Sequence, residues 1–403
     1  MTLAPTTAVS EVVAPGSQFD WLVVGAGLTG ATLAERIASE LGARVLVVDR
    51  RDHIGGNVHD SFDEHGVLVH RYGPHIFHTS SLRVWTYLSR FTGWIPYEHR
   101  VLASIDGRLV PVPFNLTTME ELLGPSRAAT LEDRLVTTFG REAKVPVLKL
   151  LEDADPSLRA LGELVYEKVF LGYTTKQWGL RPEELDRSVT GRVPIFISRD
   201  DRYFQDRFQA IPALGYTQMV RRMLDHPGIT VSLGTDYREV VDAVSWDRMV
   251  YTGPIDAFFD GAHGPLPYRS LRFEHESLPI EHFQPVAQVN HPNEHSYTRV
   301  VEHKHFTGAS LPSTTITYEH PEAHVAGQNE PYYPIPREEN RARYERYAAD
   351  AAALAPRVVF VGRLAHYRYY DMDQAVSHAL LAFRNDVLGK RPQPAVGAGR
   401  RQA

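Results

Sequence analysis

One segment near the start of the chain constrains the fold more than any other: an apolar run that leads directly into closely spaced glycines. Residues 21–24 read Trp-Leu-Val-Val, and a helical pattern follows the glycines from about Leu28 to Leu41. In such a strand–turn–helix unit, the first glycine permits a sharp turn, the second leaves room for a pyrophosphate, and the third lets helix and strand pack closely. Phosphates are stabilised at a helix N-terminus by unpaired N–H groups and the helix dipole. The predicted cradle consists of Gly25, Ala26, Gly27, Leu28, Thr29 and Gly30.

A second strand pattern, residues 44–48, ends at an acidic residue. Asp49 follows Gly30 by nineteen positions, the spacing at which an acid binds the ribose of a dinucleotide. A glycine pair then indicates a second close approach of the backbone to a ligand. In flavoproteins that bind FAD in an extended form, such a pair is usually followed by Arg, whereas Asn57 stands in that place here. The pattern predicts FAD as the cofactor, with further contacts from Asp49, Arg50, Gly55, Gly56 and Asn57.

Composition limits the other classes of function. The chain has 403 residues, of which 43% are hydrophobic, enough for a large core divided among two or three domains. A net charge of −6 gives no global attraction to nucleic acid or anionic membrane. The absence of cysteine excludes disulfides, thiolate metal sites and Cys nucleophiles. No stretch approaches the roughly 20 apolar residues of a membrane span, so we expect no membrane insertion and a cytoplasmic location.

The remaining patterns predict the order of the elements. A hairpin is expected over residues 100–113 around Asp106-Gly107, and helices over about 116–187, with Leu158, Leu161, Leu164, Val165 and Val169 on one face. Strand patterns follow at 230–233, 248–254, 285–289, 297–302, 314–318 and 358–363, and a helix at 371–384. The predicted fold class is α/β: a discontinuous Rossmann-like FAD-binding domain with an inserted helical domain and an antiparallel β-sheet domain.

Domain boundaries follow from this order. We expect an FAD-binding domain, a helical substrate-binding domain with a mobile loop near 190–203, a sheet domain, and two flexible tails. The FAD-binding domain comprises residues 18–99, 191–255 and 340–388, and the helical domain comprises residues 114–190. The sheet domain comprises residues 100–113 and 256–339, and the tails are residues 1–17 and 389–403.

Further motifs are far more specific than the glycine-rich turn. They are Gly-Pro-His-Ile-Phe-His-Thr at 73–79, Gly-Tyr-Thr-Thr-Lys-Gln-Trp at 172–178, Tyr-Thr-Arg-Val-Val-Glu-His-Lys-His-Phe at 297–306, Pro-Tyr-Tyr-Pro at 331–334 and Tyr-Arg-Tyr-Tyr-Asp-Met-Asp at 367–373. In order and spacing, over about residues 18–390, the chain resembles the family of bacterial UDP-galactopyranose mutases. The resemblance implies an isomerase that interconverts UDP-galactopyranose and UDP-galactofuranose, the precursor of galactofuranose in cell-surface glycans.

The resemblance also implies a mechanism without net redox change. In the family, N5 of reduced FAD attacks the anomeric carbon and expels UDP, and the sugar–flavin adduct opens through an iminium before the other hydroxyl closes the ring. The cofactor supplies the nucleophile, so a protein without cysteine needs none of its own. Arg192 and Arg299 match the two arginines that bind the diphosphate, and Arg192 lies in a segment that resembles a substrate-closing loop. A guanidinium suits this task because its planar fork binds phosphate oxygens in pairs.

Other positions match the family's ligand contacts. Those for uridine, sugar or diphosphate are His99, Phe170, Tyr173, Thr174, Trp178, Tyr203, Asn290, Tyr333 and Tyr369, with His99 at a place often filled by Asn. Those near the flavin are His75, His78, Arg363, Tyr370, Asp371, Met372 and Asp373. We assign the two histidines a catalytic role rather than a metal, since no third ligand has metal-like spacing.

Two alternatives share parts of this pattern. A flavin oxidoreductase of the amine-oxidase type has the same glycine-rich start and C-terminal flavin segment but no need for two diphosphate arginines. Relatives of the GDP-dissociation-inhibitor type use a related scaffold for protein binding without FAD, and the intact phosphate cradle argues against them. The expected partners are UDP-galactopyranose, UDP-galactofuranose and UDP, with no nucleic acid, and family relatives suggest a homodimer or higher homo-oligomer.

Overall fold

A computed structural model of the chain describes residues 13–186 and 194–389. Its strands are β1 (Gln18–Val24), β2 (Val45–Asp49), β3 (Asp60–Phe62), β4 (Leu68–His70), β5 (Phe77–Thr79), β6 (Trp94–Pro96), β7 (Val101–Ile105), β8 (Arg108–Val112), β9 (Lys144–Pro146), β10 (Pro194–Phe196), β11 (Phe208–Pro212), β12 (Ile229–Leu233), β13 (Ser245–Tyr251), β14 (Tyr268–Leu278), β15 (Gln288–Asn290), β16 (Arg299–Glu302), β17 (Thr314–Ala323), β18 (Tyr333–Pro334) and β19 (Val358–Phe360).

Helices account for most of the other regular structure. The α-helices are Leu28–Leu41, Leu82–Leu88, Leu116–Leu123, Pro125–Phe139, Val147–Leu151, Pro156–Val165, Gly172–Trp178, Tyr216–Leu224, Tyr237–Val240, Ile255–Phe258, Lys304–Thr307, Glu338–Ala353 and Met372–Ala382. Short 3₁₀ turns span Gly56–Val58 and Pro182–Glu184, and wider π turns span Tyr166–Leu171 and Phe383–Val387. Among the described residues, no helix has both the length and the apolar character that crossing a membrane requires.

The chain divides into two compact units. The first unit comprises the residues up to Gly56, Val220–Phe258 and those from Tyr347 onward, and the second comprises Asn57–Met219 and Phe259–Arg346. The first unit is therefore discontinuous in sequence, as a Rossmann-like domain with insertions requires. The three-part boundaries expected from the sequence stay a prediction, and the predicted tails lie outside the described residues except for 13–17 and 389.

A parallel sheet forms the centre of the first unit. Its strand order is β12-β2-β1-β13-β19, and every neighbouring pair is parallel. From β1 the chain proceeds outward through β2 to β12, and later strands add on the other side, so the order reverses between β1 and β13. Ligands of open parallel sheets bind outside the carboxyl ends of the strands at such a reversal. The predicted cradle begins directly after β1, at this position.

The second unit contains a seven-stranded sheet. Its order is β18-β14-β17-β16-β15-β7-β8, and the pairs are antiparallel except for β15 with β7. The predicted antiparallel sheet is thus present, with one parallel pair between β15 and β7. The reason is topological: β7 belongs to the hairpin at 101–112, and its partner enters only after the helical segment, by a long connection that allows parallel pairing. The hairpin turn at Asp106-Gly107 has φ of +50° and +76°, the two positive values of a type I′ turn.

The predicted helical segment packs around one apolar core. On the helix Pro156–Val165 the side chains of Leu158, Leu161 and Val165 are each at most 3% exposed, which confirms the predicted buried face. Each such burial contributes about 1.5–3 kcal/mol relative to an exposed position. Asp155 starts this helix by accepting the Ser157 N–H at 2.7 Å, and proline occupies the first turn. The helix continues into the π turn Tyr166–Leu171, a departure often found at functional sites.

Candidate functional site

The glycines of the cradle each have an identifiable steric reason. An added Cβ at Gly30 would lie 1.9 Å from the carbonyl oxygen of Gly25, so only glycine lets the helix begin this close to the strand. Gly25 has φ of +105°, and a Cβ there would lie 2.1 Å from Thr252 Oγ1. Gly27 differs, because its nearest neighbour would be 3.8 Å away and its φ is −78°. Among the described residues of this unit no neighbour requires glycine at position 27. A pyrophosphate beside Gly27 stays the prediction from the sequence pattern.

Asp49 and the glycine pair complete this region. The Asp49 carboxylate accepts the N–H of Ala26 at 2.8 Å and that of Arg51 at 3.0 Å, which fixes it beside the cradle. Each oxygen keeps a further lone pair that can accept a hydrogen bond. Gly55 donates its N–H to Ala26 O at 2.9 Å and bridges to Gly27, so the glycine pair lies directly against the cradle. Its approach to a ligand stays a prediction. Asn57 and Arg50 flank this loop as the next residues of the chain.

The predicted C-terminal flavin segment also lies in the first unit. It follows β19 with Gly362 at φ +112°, and Tyr367 adopts a positive φ of +45°, an uncommon conformation for a bulky residue. His366 Nε2 lies 3.2 Å from the Phe360 carbonyl oxygen, so it carries the proton and Nδ1 accepts from the Tyr370 hydroxyl at 2.9 Å. Burial lowers the pKa of His366 to about 4, which keeps the ring neutral.

The segment ends at the start of a helix. Asp371 caps Met372–Ala382, and its N–H donates to Gln374 Oε1 at 3.1 Å, while Asp373 Oδ1 accepts the Gln374 N–H at 2.7 Å. The Arg363 guanidinium carbon lies 6.0 Å from the centre of the Tyr369 ring. A helix N-terminus at this place supplies partial positive charge for an anionic group.

The second unit contains a polar row across three strands. Asn290 on β15 pairs in register with Arg299 on β16, which pairs with Glu319 on β17. Arg299 donates from Nε at 2.9 Å and Nη2 at 2.7 Å to the same oxygen, Oε2 of Glu319. The Glu319 side chain is fully buried, and its Oε1 has no hydrogen-bond partner among the described residues. Glu319 therefore holds the guanidinium in one orientation through Nε and Nη2.

Aromatic side chains surround this arginine. Burial disfavours a charged guanidinium, but attraction to the Glu319 carboxylate outweighs it and raises the pKa of Arg299, and Tyr173 and Tyr333 lie near the same group. The Trp178 ring lies 6.1 Å from that of Tyr333. The structure thus brings together Arg299, Tyr173, Tyr333 and Trp178, which the sequence analysis had placed in one substrate site. Their arrangement offers a fixed cation for phosphate oxygens and ring faces for a base.

The helix that carries Tyr173 and Thr174 rests on the loop after β15. An added Cβ at Gly172 would lie 2.4 Å from the Pro292 carbonyl oxygen, so only glycine allows this approach. Thr174 is buried at 5% exposure. Phe170, one turn earlier, is 4% exposed within the apolar core and contacts Tyr166, so little of its ring remains for a ligand. Its predicted contact with the base stays a prediction.

His99 is held as a neutral ring. Burial lowers its pKa to about 3, and a hydrogen bond to Gln288 offsets this only in part. The Tyr97 hydroxyl lies 3.3 Å from its Nδ1, and the His99 carbonyl accepts the Tyr203 N–H at 2.7 Å. A neutral imidazole offers hydrogen bonds without charge, like the amide of the Asn that often fills this place. His99 can therefore orient hydroxyl groups but does not supply a cation for phosphate.

The two predicted catalytic histidines are fixed by different partners. His75 Nδ1 donates to the Gly73 carbonyl at 2.8 Å, and its own carbonyl accepts the Tyr216 hydroxyl at 3.1 Å. His78 Nδ1 lies 2.8 Å from Asp206 Oδ2, and its ring stacks on Phe204 with centroids 3.6 Å apart. Both rings are thus oriented through Nδ1. Arg192, the second predicted diphosphate arginine, lies outside the described residues.

Several residues of this site were missed by the sequence analysis. Glu319, Gln288 and Asp206 each fix a predicted ligand-binding side chain, through hydrogen bonds or register. Glu319 directly follows the predicted strand 314–318, so a strand extended by one residue and paired with β16 would have placed an acid opposite Arg299. The other two carry no local pattern that distinguishes them from ordinary surface polar residues.

His70 gives this unit a testable response to acid. The ring is 1% exposed, stacks on Phe306 at 4.9 Å, and accepts the His75 N–H at Nδ1. Burial lowers its pKa to about 3, so below pH 6.5 the unfolded chain takes up a proton that the folded state refuses. Stability is therefore lost as pH falls from 6.5 toward 3, by up to about 1.4 kcal/mol per pH unit for each such histidine.

Asparagine at position 70 keeps a hydrogen-bond acceptor but does not titrate. We therefore expect His70→Asn to reduce the slope of the unfolding free energy against pH between pH 6 and 4 by up to about 1.4 kcal/mol per pH unit. Urea unfolding at several pH values measures this slope. His65→Asn is the matched control, because His65 is 42% exposed at its side chain and should leave the slope unchanged. Equal slopes for the parent and His70→Asn would contradict the assignment.

Fold and site together define a class of protein. A parallel sheet with a glycine-lined phosphate cradle is a dinucleotide-binding fold, and the arginine and aromatic cluster of the second unit suits a phosphorylated ligand. The sequence patterns of two families match: the UDP-galactopyranose mutase family over residues 168–369, and the NAD(P)-binding Rossmann-like domain over residues 23–91.

Individual relatives agree with these matches. A probable UDP-galactopyranose mutase of Klebsiella pneumoniae is 37% identical over 362 residues, which cover 89% of this chain and 92% of the relative. A dTDP-fucopyranose mutase of Escherichia coli is 34% identical over 366 residues, which cover 89% of this chain and 96% of the relative. A crystal structure of reduced UDP-galactopyranose mutase has the same fold, with a TM-score of 0.70 at 17% identity over 94% of each chain. The chain belongs to the UDP-galactopyranose mutase family and is an enzyme of the isomerase class. This confirms the predicted family and fold class.

Proposed function

We propose that this chain interconverts UDP-galactopyranose and UDP-galactofuranose without net oxidation, with bound FAD in its reduced state. The observation that carries the proposal is the Arg299–Glu319 pair, a half-buried and oriented cation near Tyr173, Tyr333 and Trp178. In this proposal the product supplies galactofuranose for cell-surface glycans, and the enzyme acts in the cytoplasm as a homodimer or higher homo-oligomer.

The described residues fit FAD. Gly27 leaves space for a pyrophosphate, Asp49 keeps acceptor capacity for ribose, and the helix start at Met372 provides N–H groups for the anionic edge of a reduced flavin. When bound and reduced, FAD would supply the nucleophile for covalent catalysis at the anomeric carbon. Arg50, Asn57 and Arg363 are proposed as further contacts, and His75 and His78 as side chains near the flavin.

The protein's own side chains would then manage the leaving group. Arg299 binds the diphosphate and stabilises its charge as the bond to the sugar breaks, because its guanidinium is already oriented before substrate arrives. Tyr333 and Tyr369 donate to phosphate oxygens, and Tyr173 with Trp178 covers the base. Asn290, Tyr203 and neutral His99 would orient the nucleoside and sugar hydroxyls. Arg192 is proposed as a second diphosphate contact on a closing loop.

Conversion of UDP-galactofuranose by the purified protein tests this function. The flavin is first kept oxidised and then reduced chemically under anaerobic conditions. We expect turnover only in the reduced state, with no reductant consumed per product. A parallel assay uses dTDP-fucopyranose, the compound in the name of the Escherichia coli relative, and tests which sugar and base the enzyme prefers. Preferential turnover of that compound would reassign the substrate.

The remaining alternatives are separated by simple outcomes. A colourless protein that takes up no FAD would indicate a binding protein rather than a flavoenzyme. Yellow protein that turns over neither nucleotide sugar in either redox state would direct the search to oxidoreductase substrates.

A further inference from the structure

The loop at residues 291–298, between β15 and β16, carries three side chains with metal-binding atoms. One ligand atom each from His291, Glu294 and His295 lies within 4.8 Å of the others. We propose that this loop binds a divalent transition-metal ion, with Zn²⁺ as the best match. The site is additional to the isomerase chemistry and does not depend on it.

One imidazole nitrogen of this loop already lacks a partner. His291 Nδ1 is buried and makes no hydrogen bond within residues 13–186 and 194–389. A buried polar atom left unpaired costs about 1–3 kcal/mol. Coordination of a metal ion would remove this cost, because a neutral imidazole nitrogen is the commonest protein ligand for such ions.

The backbone directs a second imidazole toward the first. His295 has φ of +62°, a left-handed conformation that is uncommon for histidine. In this conformation its ring stacks on Tyr297 at 4.7 Å, and its centroid lies 5.2 Å from that of His291. Two imidazoles and one carboxylate are the protein ligands of open zinc sites, which keep a fourth position for water.

Only a small movement separates the present arrangement from coordination. Nitrogen and oxygen ligands lie about 2.0–2.2 Å from zinc, so tetrahedral ligand atoms are about 3.5 Å apart. The present separations are at most 4.8 Å, so coordination requires a shift of no more than about 1 Å. Glu294 and His295 are both exposed, so their side chains can rotate. No cysteine is present to compete for the ion.

The local charges set the strength of this site. The Lys176 ammonium donates to the carbonyl oxygens of His291 at 2.8 Å and Glu294 at 2.6 Å, so it holds the loop in place. Its positive charge opposes a bound cation, and the Glu294 carboxylate is the group that offsets it. Loss of the Glu294 charge should therefore weaken binding even though an amide oxygen could still coordinate.

A second triad of the same composition provides the comparison. His282, Glu302 and His305 also have ligand atoms within 4.8 Å. Here the buried Glu302 already accepts the N–H groups of Phe283 at 3.0 Å and Gln284 at 2.9 Å and the Thr314 hydroxyl at 2.7 Å. His305 Nε2 lies 3.0 Å from the Gln284 carbonyl oxygen, so it carries a proton and cannot coordinate. This triad is internally satisfied and should not bind metal.

Calorimetric titration of the tag-free, FAD-loaded protein with ZnCl₂ in a non-chelating buffer tests the proposal. We expect one Zn²⁺ per chain, with affinity weakened at least about tenfold by Glu294→Gln and by His295→Asn. Asparagine tolerates a positive φ, so the second variant keeps the loop conformation. His282→Ala is the matched control and should bind like the parent.

Three results would overturn the proposal. They are the absence of saturable binding, binding that both loop variants leave unchanged, and binding that is lost in His282→Ala. Because the readout is metal binding, it is independent of whether the chain isomerises UDP-galactopyranose.

Discussion

Replacing Arg299 by alanine is expected to lower kcat/KM for the proposed isomerisation by about 100- to 1,000-fold, the usual effect of removing one oriented group from a developing negative charge. The structure gives the reason, because both bonds to Glu319 fix the guanidinium before a ligand arrives. Steady-state kinetics with UDP-galactofuranose and reduced flavin measure the effect, and bound FAD is quantified by absorbance.

Two further variants separate charge from orientation. Alanine leaves the buried Glu319 carboxylate without its cation, a change that can cost about 3–5 kcal/mol of stability. Arg299→Lys keeps the cation but loses the planar fork, and Glu319→Gln keeps the fork but loses its ionic anchor. Each should retain the fold and lose activity to a smaller degree than Arg299→Ala.

The control for this series is an arginine outside the polar row. Arg272→Ala on β14 removes a guanidinium that is 54% exposed, and activity should stay at the parent level. Near-parental turnover in folded Arg299→Ala would remove this residue from the mechanism.

Replacing Gly30 by alanine is expected to destabilise the first unit by at least about 3 kcal/mol and to abolish FAD binding. The added methyl group would lie 1.9 Å from the Gly25 carbonyl oxygen and 3.3 Å from Val23 Cγ1. The closest atoms, the carbonyl oxygen and carbon of Gly25, belong to the backbone, and no side-chain rotation moves them aside. Strand and helix must therefore separate. Thermal unfolding of the FAD-free protein measures the loss.

Gly27→Ala should behave in the opposite way. Its methyl group has no neighbour closer than 3.8 Å, so the FAD-free protein should unfold within about 0.5 kcal/mol of the parent. FAD affinity should fall at least about tenfold, because the methyl group occupies the space assigned to the pyrophosphate. Gly93→Ala has the same clearance of 3.8 Å outside the cradle and is the control for both measurements. Unchanged FAD affinity in Gly27→Ala would contradict the assignment of this space.

The cradle could be predicted from sequence because its constraints are local. The positions of Gly25, Gly27, Gly30 and Asp49 follow from one strand–turn–helix–strand unit, in which spacing alone fixes geometry. The helix Leu28–Leu41 was predicted with the bounds that the structure has. The hairpin around Asp106 was predictable for the same reason, since its turn residues determine the turn type.

The polar row could not be predicted in this way. It depends on the register of β15, β16 and β17, where Asn290, Arg299 and Glu319 become neighbours although 29 positions separate the first from the last. Resemblance to a family supplied Arg299 and Asn290, but the acid that orients the arginine required the pairing itself. Neutral His99 likewise depends on burial by other segments, which one sequence does not reveal.

The strand order of the first unit also bears on synthesis of the protein. The sheet begins with β1 near the N-terminus and is completed by β13 and then β19, which starts at Val358. A ribosome must therefore translate at least as far as β19 before the last strand can pair. Until then β13 presents an unpaired edge, the kind of surface that nascent chains use for aberrant association. Premature termination before Val358 would leave this edge open permanently, so such products should require chaperone protection or be degraded.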